Sequence, residues 1–142
     1  MSKHNTANQP LIFSQVVDAI VGKQGGTFGP DTDEPKFNGY FVGGSQPTVR
    51  VRNGEQLVTD LTKLAEVVEL VRRAIGRGSN VGTWLNPETS EVEVDDSEWI
   101  ESKSLAIETA QDRHELAIWD VKGEREINVG RFTADGDYVK LI

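Results

Sequence analysis

The sequence contains no cysteine, only two histidines, and no apolar run long enough to cross a bilayer. The absence of cysteine excludes disulfides, thiolate metal ligands and a cysteine nucleophile, and it agrees with a reducing compartment. Residues 1–10 are polar, lack the charged-then-apolar pattern of a secretory signal, and are expected to be flexible. We therefore expect a cytoplasmic protein without a membrane segment, in which residues 11–142 form one folded domain.

Recognisable catalytic and cofactor motifs are also missing. His4 and His114 stand far apart in the chain, so neither has a partner for a zinc site. The glycine-rich segment 76–82 follows a predicted helix, whereas a phosphate-binding loop opens one. The sequence thus predicts no catalytic residue, no metal site and no cofactor. A hydrolase built on paired carboxylates stays an alternative, because sequence does not say which acids meet across a cleft.

Positive charge is scarce in the second part of the chain. Residues 1–85 hold nine basic and eight acidic residues, whereas residues 86–142 hold six basic and fifteen acidic ones. The stretch 86–101 contains seven acids and no basic residue. An acidic field of this kind repels phosphate backbones, so the composition weighs against direct nucleic-acid binding.

Hydrophobic periodicity predicts three helices. They are a short helix over residues 12–21, a main helix over 57–75 with Asn53 as its N-cap, and a third helix capped by Ser102 or Ser104. Residues 25–38, rich in glycine and proline, are expected to form a long loop. The predicted strands are 40–42, 48–52, 81–85, 91–94, 116–121, 127–129, 131–133 and 138–142. The expected fold is a single compact α+β domain, with about three helices packed on a mostly antiparallel sheet and a β-rich C-terminal half.

Three short motifs carry a resemblance to known sequences. They are GYFVGG at 39–44, GTWLNPET at 82–89 and ELAIWD at 115–120. In this combination the chain resembles, over about Gly39 to Val129, a set of small proteins from actinobacterial phages and their hosts that have no assigned activity. Relatives often have glycine in the hairpin turn where this chain has Ser90. The resemblance implies an origin in phage or mobile elements and implies no activity.

The three tryptophans differ in their surroundings. Trp84 and Trp119 fall in β-rich, partly apolar segments, and we expect both to anchor the core. Trp99 stands among acids, and together with Ile100 it would form an apolar patch rimmed by charge if both are exposed. The alternative, that one or both pack under the third helix, stays open. The predicted interaction residues are Asp95, Asp96, Glu98, Trp99 and Glu101.

Two functions follow as hypotheses. The first is a phage-type or mobile-element accessory protein that binds a host or virion protein through its acidic surface. The second is an acidic mimic of nucleic acid that acts against a DNA-binding or restriction protein. A homo-oligomer is a further alternative, because arginines of the first half would complement the acids of a second copy. These arginines are Arg50, Arg52, Arg72, Arg73 and Arg77.

Overall fold

The computed structural model describes residues 9–33 and 36–142. The helices of this part are α1 (Gln9–Gly22), α2 (Pro30–Asp33), α3 (Gly54–Thr59), α4 (Leu61–Gly76) and α5 (Lys103–Asp112). The strands are β1 (Gly26–Phe28), β2 (Tyr40–Val42), β3 (Val49–Val51), β4 (Asn80–Leu85), β5 (Val92–Ile100), β6 (Ala117–Asp120), β7 (Arg125–Asn128), β8 (Gly130–Phe132) and β9 (Tyr138–Lys140). None of these helices has both the length and the apolar character that a bilayer-spanning segment needs.

The main sheet is organised around β5. Its strand order is β1-β4-β5-β2-β6-β7, with β3 also paired to β5, and its strand pairs are antiparallel. Residues 92–97 of β5 pair with β4, while β3 and β2 pair with successive parts of the strand, at 92–94 and 98–100. Strands β8 and β9 form a separate hairpin. The predicted fold class is confirmed, because helices pack against a mostly antiparallel sheet and strands dominate the C-terminal half.

Helices cover one face of the main sheet through two apolar cores. The larger core joins α1, α3 and α4 to the sheet and includes Ile20, Ile75 and Val94. The smaller core lies under α5 and includes Val42 and Ile118. Each of these side chains is nearly inaccessible to solvent, so each stabilises the fold by roughly 1.5–3 kcal/mol of apolar burial. These helices therefore pack against the same face of the sheet.

The predicted main helix begins where expected but is interrupted once. The side chain of Asn53 accepts a hydrogen bond from the Gln56 amide at 3.0 Å, which confirms the predicted N-cap. The helix then breaks at Asp60, whose extended backbone ends α3. The Asp60 carboxylate accepts a hydrogen bond from the Lys63 amide at 3.1 Å and so caps α4. An aspartate in this position favours the start of a new helix over continuation of the first one. Its carboxylate can accept the hydrogen bond of an amide that a backbone carbonyl would otherwise accept.

Other segments depart from the sequence-based expectations. The predicted loop 25–38 contains β1 and α2 in its described part. The strand predicted at 91–94 extends to Ile100, so most of the acidic stretch lies in the central strand of the sheet. Gln9 and Pro10 belong to α1, and residues 1–8 of the predicted flexible N-terminus lie outside the described residues. Ser90 has a φ of +61°, a left-handed conformation that favours glycine.

A buried carboxylate joins β5 to its surroundings. Asp96 is 0% exposed and lies on the helix-covered face, opposite Val81 of β4. It accepts hydrogen bonds from Ser79 Oγ at 2.7 Å, Arg77 NH1 at 2.9 Å and Gln46 Nε2 at 3.0 Å. These partners come from the end of α4 and from the loop between β2 and β3. One side chain therefore fixes three segments relative to one another.

We predict that Asp96→Ala lowers the free energy of unfolding by roughly 2–3 kcal/mol, because it leaves polar partners without an acceptor. Asp18→Ala, which removes an exposed carboxylate from α1, is the matched control and should change stability by less than about 0.5 kcal/mol. Urea unfolding of the three proteins measures the difference. Equal stability of the Asp96→Ala and Asp18→Ala proteins would contradict the structural role of Asp96.

Candidate functional site

The candidate site lies on the sheet face opposite the two cores, which we refer to as the open face. Gly82 of β4 lies opposite Asp95 of β5 on this face, and Trp84 follows two residues farther along β4. Across β2 and β6, Phe41 lies opposite Trp119. Side chains alternate between the two faces of a strand, so the register that buries the core also places these residues on the open face.

The open face contains a cavity of about 630 Å³. This volume falls within the roughly 300–1,000 Å³ that ligand pockets occupy. Among the described residues the lining comes from strands and the positions that border them, and no helix contributes to it. Four of the lining residues are glycines, at positions 25, 26, 43 and 82. The absence of a side chain lets neighbouring residues approach the backbone closely: a Cβ atom would lie 2.7 Å from the Phe28 ring at Gly26 and 3.0 Å from Glu115 Oε1 at Gly43.

Two tryptophans border the cavity and are accessible to solvent. Trp84 on β4 is 49% exposed, and Trp119 on β6 is 43% exposed. The expectation that both are core anchors is wrong, because the sheet register turns them away from the helices. Exposing so much aromatic surface is unfavourable in water, and such surface is typical of binding sites.

Asp95 is one of three carboxylates in the cavity lining, together with Glu115 and the exposed Glu126. Burial raises the pKa of Asp95 above its ordinary value, and the negative charge of Glu93 acts in the same direction. A hydrogen bond from Thr48 Oγ1 at 2.5 Å opposes this rise of the pKa. The ionised form of Asp95 is therefore less favourable in the folded protein than in water.

Glu115, just before β6, supplies the second carboxylate. Burial raises its pKa, the negative charge of Asp95 raises it further, and Arg113 opposes the rise. The hydroxyl of Tyr138 donates a hydrogen bond to the backbone carbonyl of Glu115 at 2.6 Å and so fixes this part of the chain. The two carboxylates repel each other across the cavity, an arrangement that occurs often at functional sites.

The structure separates the charged residues that the sequence grouped into one site. Asp95 lies in the cavity, whereas Asp96 is buried on the opposite face. Glu98 forms an ion pair with Arg113 at 2.7 Å. Glu101 is exposed and borders a different, polar pocket. Of these four acids only Asp95 belongs to the cavity, and their predicted role in partner binding stays a prediction.

Trp99 belongs to the same predicted set but is partly covered. Its indole Nε1 donates a hydrogen bond to the Asn38 carbonyl at 2.9 Å, and Lys36 Nζ lies 4.4 Å from the centre of the ring. The neighbouring Ile100 is buried in the smaller core. The two side chains therefore do not form a shared exposed patch, and Ile100 packs under α5, as the alternative interpretation predicts.

Sequence analysis did not predict Trp84, Trp119 or Glu115 as residues of the site. The sequence contained a signal for one of them. In 81–85 the strand pattern places Trp84 out of phase with Val81 and Leu85, which indicates that Trp84 faces away from their side of the sheet. Glu115 and the lining glycines gave no comparable signal. They come together in the cavity only because β2 pairs with both β5 and β6, which the sequence does not show.

No protein-family model, curated protein or solved structure matches this chain. In the described part of the chain no three histidine, aspartate or glutamate side chains gather as a set of metal ligands. The chemistry of the site therefore follows from its own lining: two accessible indoles, a glycine floor and two carboxylates that repel each other.

We predict that Asp95→Asn and Glu115→Gln each raise the free energy of unfolding at pH 7 by about 1 kcal/mol, a gain typical of relieving strain at a functional site. A carboxylate with a raised folded pKa stabilises the fold fully only below its ordinary pKa, and this contribution disappears as pH rises through the folded pKa. The gain should therefore shrink between pH 7 and pH 4, as urea unfolding at several pH values would measure.

Glu126→Gln provides the control for this prediction. Glu126 borders the same cavity but is exposed, so its substitution should change stability by less than about 0.5 kcal/mol. Destabilisation of the Asp95→Asn and Glu115→Gln proteins at pH 7 would show that the charges support the fold, contrary to this account.

Proposed function

We propose that this protein is a small binding protein that holds a segment of a partner protein in the open-face cavity. The observation that carries the proposal is the pair of accessible tryptophans, Trp84 and Trp119, on either side of a glycine floor. Tryptophan is enriched at interface centres, where it contributes a large contact area with little loss of conformational freedom. Both indoles are carried by paired strands, so the site is largely formed before a partner arrives.

The charge of the chain supports a basic partner. The net charge is −8, and the described lining of the cavity includes Asp95, Glu115 and Glu126 but no lysine or arginine. Opposite charge on the partner would speed encounter and orient it, while the aromatic contacts would provide most of the affinity. A host or virion protein as the partner, and the phage-type origin of the chain, remain predictions.

Mimicry of nucleic acid receives less support from the structure. A mimic needs free carboxylates spread over the surface, but several acids of the 86–101 stretch have partners within the fold. Glu93 pairs with Arg50 at 3.6 Å, Glu98 pairs with Arg113, and Asp96 is buried. The charge that remains exposed in this stretch is smaller than its composition implies.

Selection from a random-peptide display library on the immobilised protein tests the proposal. We expect peptides that bind the wild-type protein and lose about 30-fold or more in affinity to either Trp84→Ala or Trp119→Ala, because removing a central tryptophan typically costs at least about 2 kcal/mol. Phe37→Ala is the matched control, since Phe37 is an exposed aromatic residue that does not border the cavity.

Salt distinguishes the two functions in the same assay. Binding through the tryptophans should weaken only modestly as salt is raised, whereas binding by charge mimicry should fall steeply. If the selected peptides bind the wild-type and double-tryptophan proteins equally well, or if no peptide is selected, the open face is not the binding surface.

A further inference from the structure

Within the described part of the chain neither Asp95 nor Glu115 forms an ion pair, although Arg50 and Arg113 oppose the rise of their pKa values. Asp95 accepts a hydrogen bond from Thr48, and no described residue forms an ion pair with it. Within the described residues the Glu115 carboxylate has neither a side-chain hydrogen bond nor an ion pair. Two partly buried carboxylates that repel each other would gain from a positive charge placed between them.

The nearest arginines are held by other acids. Arg113 forms an ion pair with Glu98 at 2.7 Å and donates to the Gly43 carbonyl at 3.2 Å. Arg50 lies 3.6 Å from Glu93. Neither arginine lines the cavity. Internal compensation of Asp95 and Glu115 is therefore incomplete.

Asp95 and Glu115 both lie beside Gly43 in the lining of the cavity. A Cβ atom placed on Gly43 would lie 3.0 Å from Glu115 Oε1 and 3.8 Å from Asp95 Cβ. The Glu115 side chain thus covers Gly43, and Asp95 lies next to it, so both acidic residues border the same part of the cavity floor. Trp84 lies on the β4 side of this floor and Trp119 on the β6 side.

We propose that the floor between Asp95 and Glu115 is a subsite for a basic side chain of the partner protein, with arginine preferred over lysine. This inference rests on the proposed function and specifies its ligand chemistry. A guanidinium is planar and weakly hydrated, so it can bond to carboxylates through several N–H groups and stack on an indole face. An ammonium loses more hydration on entering such a site.

NMR titration of the intact protein with Nα-acetyl-arginine amide tests the subsite directly. The three indole N–H signals report on it separately. We expect the signals of Trp84 and Trp119 to shift, while that of Trp99, which does not line the cavity and whose N–H is bonded to the Asn38 carbonyl, shifts less. Nα-acetyl-citrulline amide, which has nearly the same shape but no charge, should bind at least about tenfold more weakly.

The Asp95→Asn/Glu115→Gln protein provides the second comparison. It keeps the tryptophans and the shape of the cavity but has no floor charge, and its affinity for the arginine amide should fall at least about tenfold. Equal binding of the arginine and citrulline amides, or equal binding of arginine amide by the wild-type and doubly substituted proteins, would overturn the inference.

The outcomes separate this inference from the proposed function. Peptides that depend on Trp84 and Trp119 but bind the doubly substituted protein as tightly as the wild type would leave the protein-binding function standing and overturn the basic-side-chain subsite. Shifts of the same two indoles by a neutral disaccharide such as cellobiose, with none from the arginine amide, would identify a carbohydrate site and overturn both.

Discussion

The alternation of side chains along β5 is the constraint on which the rest of the structure depends. Val92, Val94 and Asp96 face the helices, while Asp95 faces the open cavity. A slip of one residue would bring the valines into water and Asp95 into the core, so the register is strongly determined. The hydrogen bonds of Asp96 to Ser79 and Arg77 hold that register at the end of α4.

The two faces of the sheet serve different purposes. The covered face carries two apolar cores that supply stability, whereas the open face carries features that oppose it. Trp84 and Trp119 remain accessible to water, and Asp95 and Glu115 have raised pKa values. Features that reduce stability without a structural benefit are typical of functional sites, because natural proteins retain such costs where function requires them.

Local signals predicted much of the fold, and non-local pairing determined the rest. Asn53 indicates a helix start because its side chain accepts a hydrogen bond from the amide three residues later. The hairpins are also local, because their strands are joined by short turns. The extension of β5 beyond Val94 was missed, because acids disfavour strands and the partners of Asp96 lie elsewhere in the chain. The cavity was missed for the same reason, since the exposure of Trp84 and Trp119 depends on which face the helices cover.

Site-specific photo-cross-linking in the native cell tests the central claim most directly, namely that the open face is the binding surface. A photoreactive benzoylphenylalanine would replace Glu126 at the rim of the cavity and, in a second protein, Glu108 on the exposed side of α5. We expect one defined protein adduct from position 126 that disappears when Trp84 and Trp119 are both changed to alanine, and none from position 108. An adduct from position 108 alone, or one from position 126 that survives the loss of both tryptophans, would contradict it.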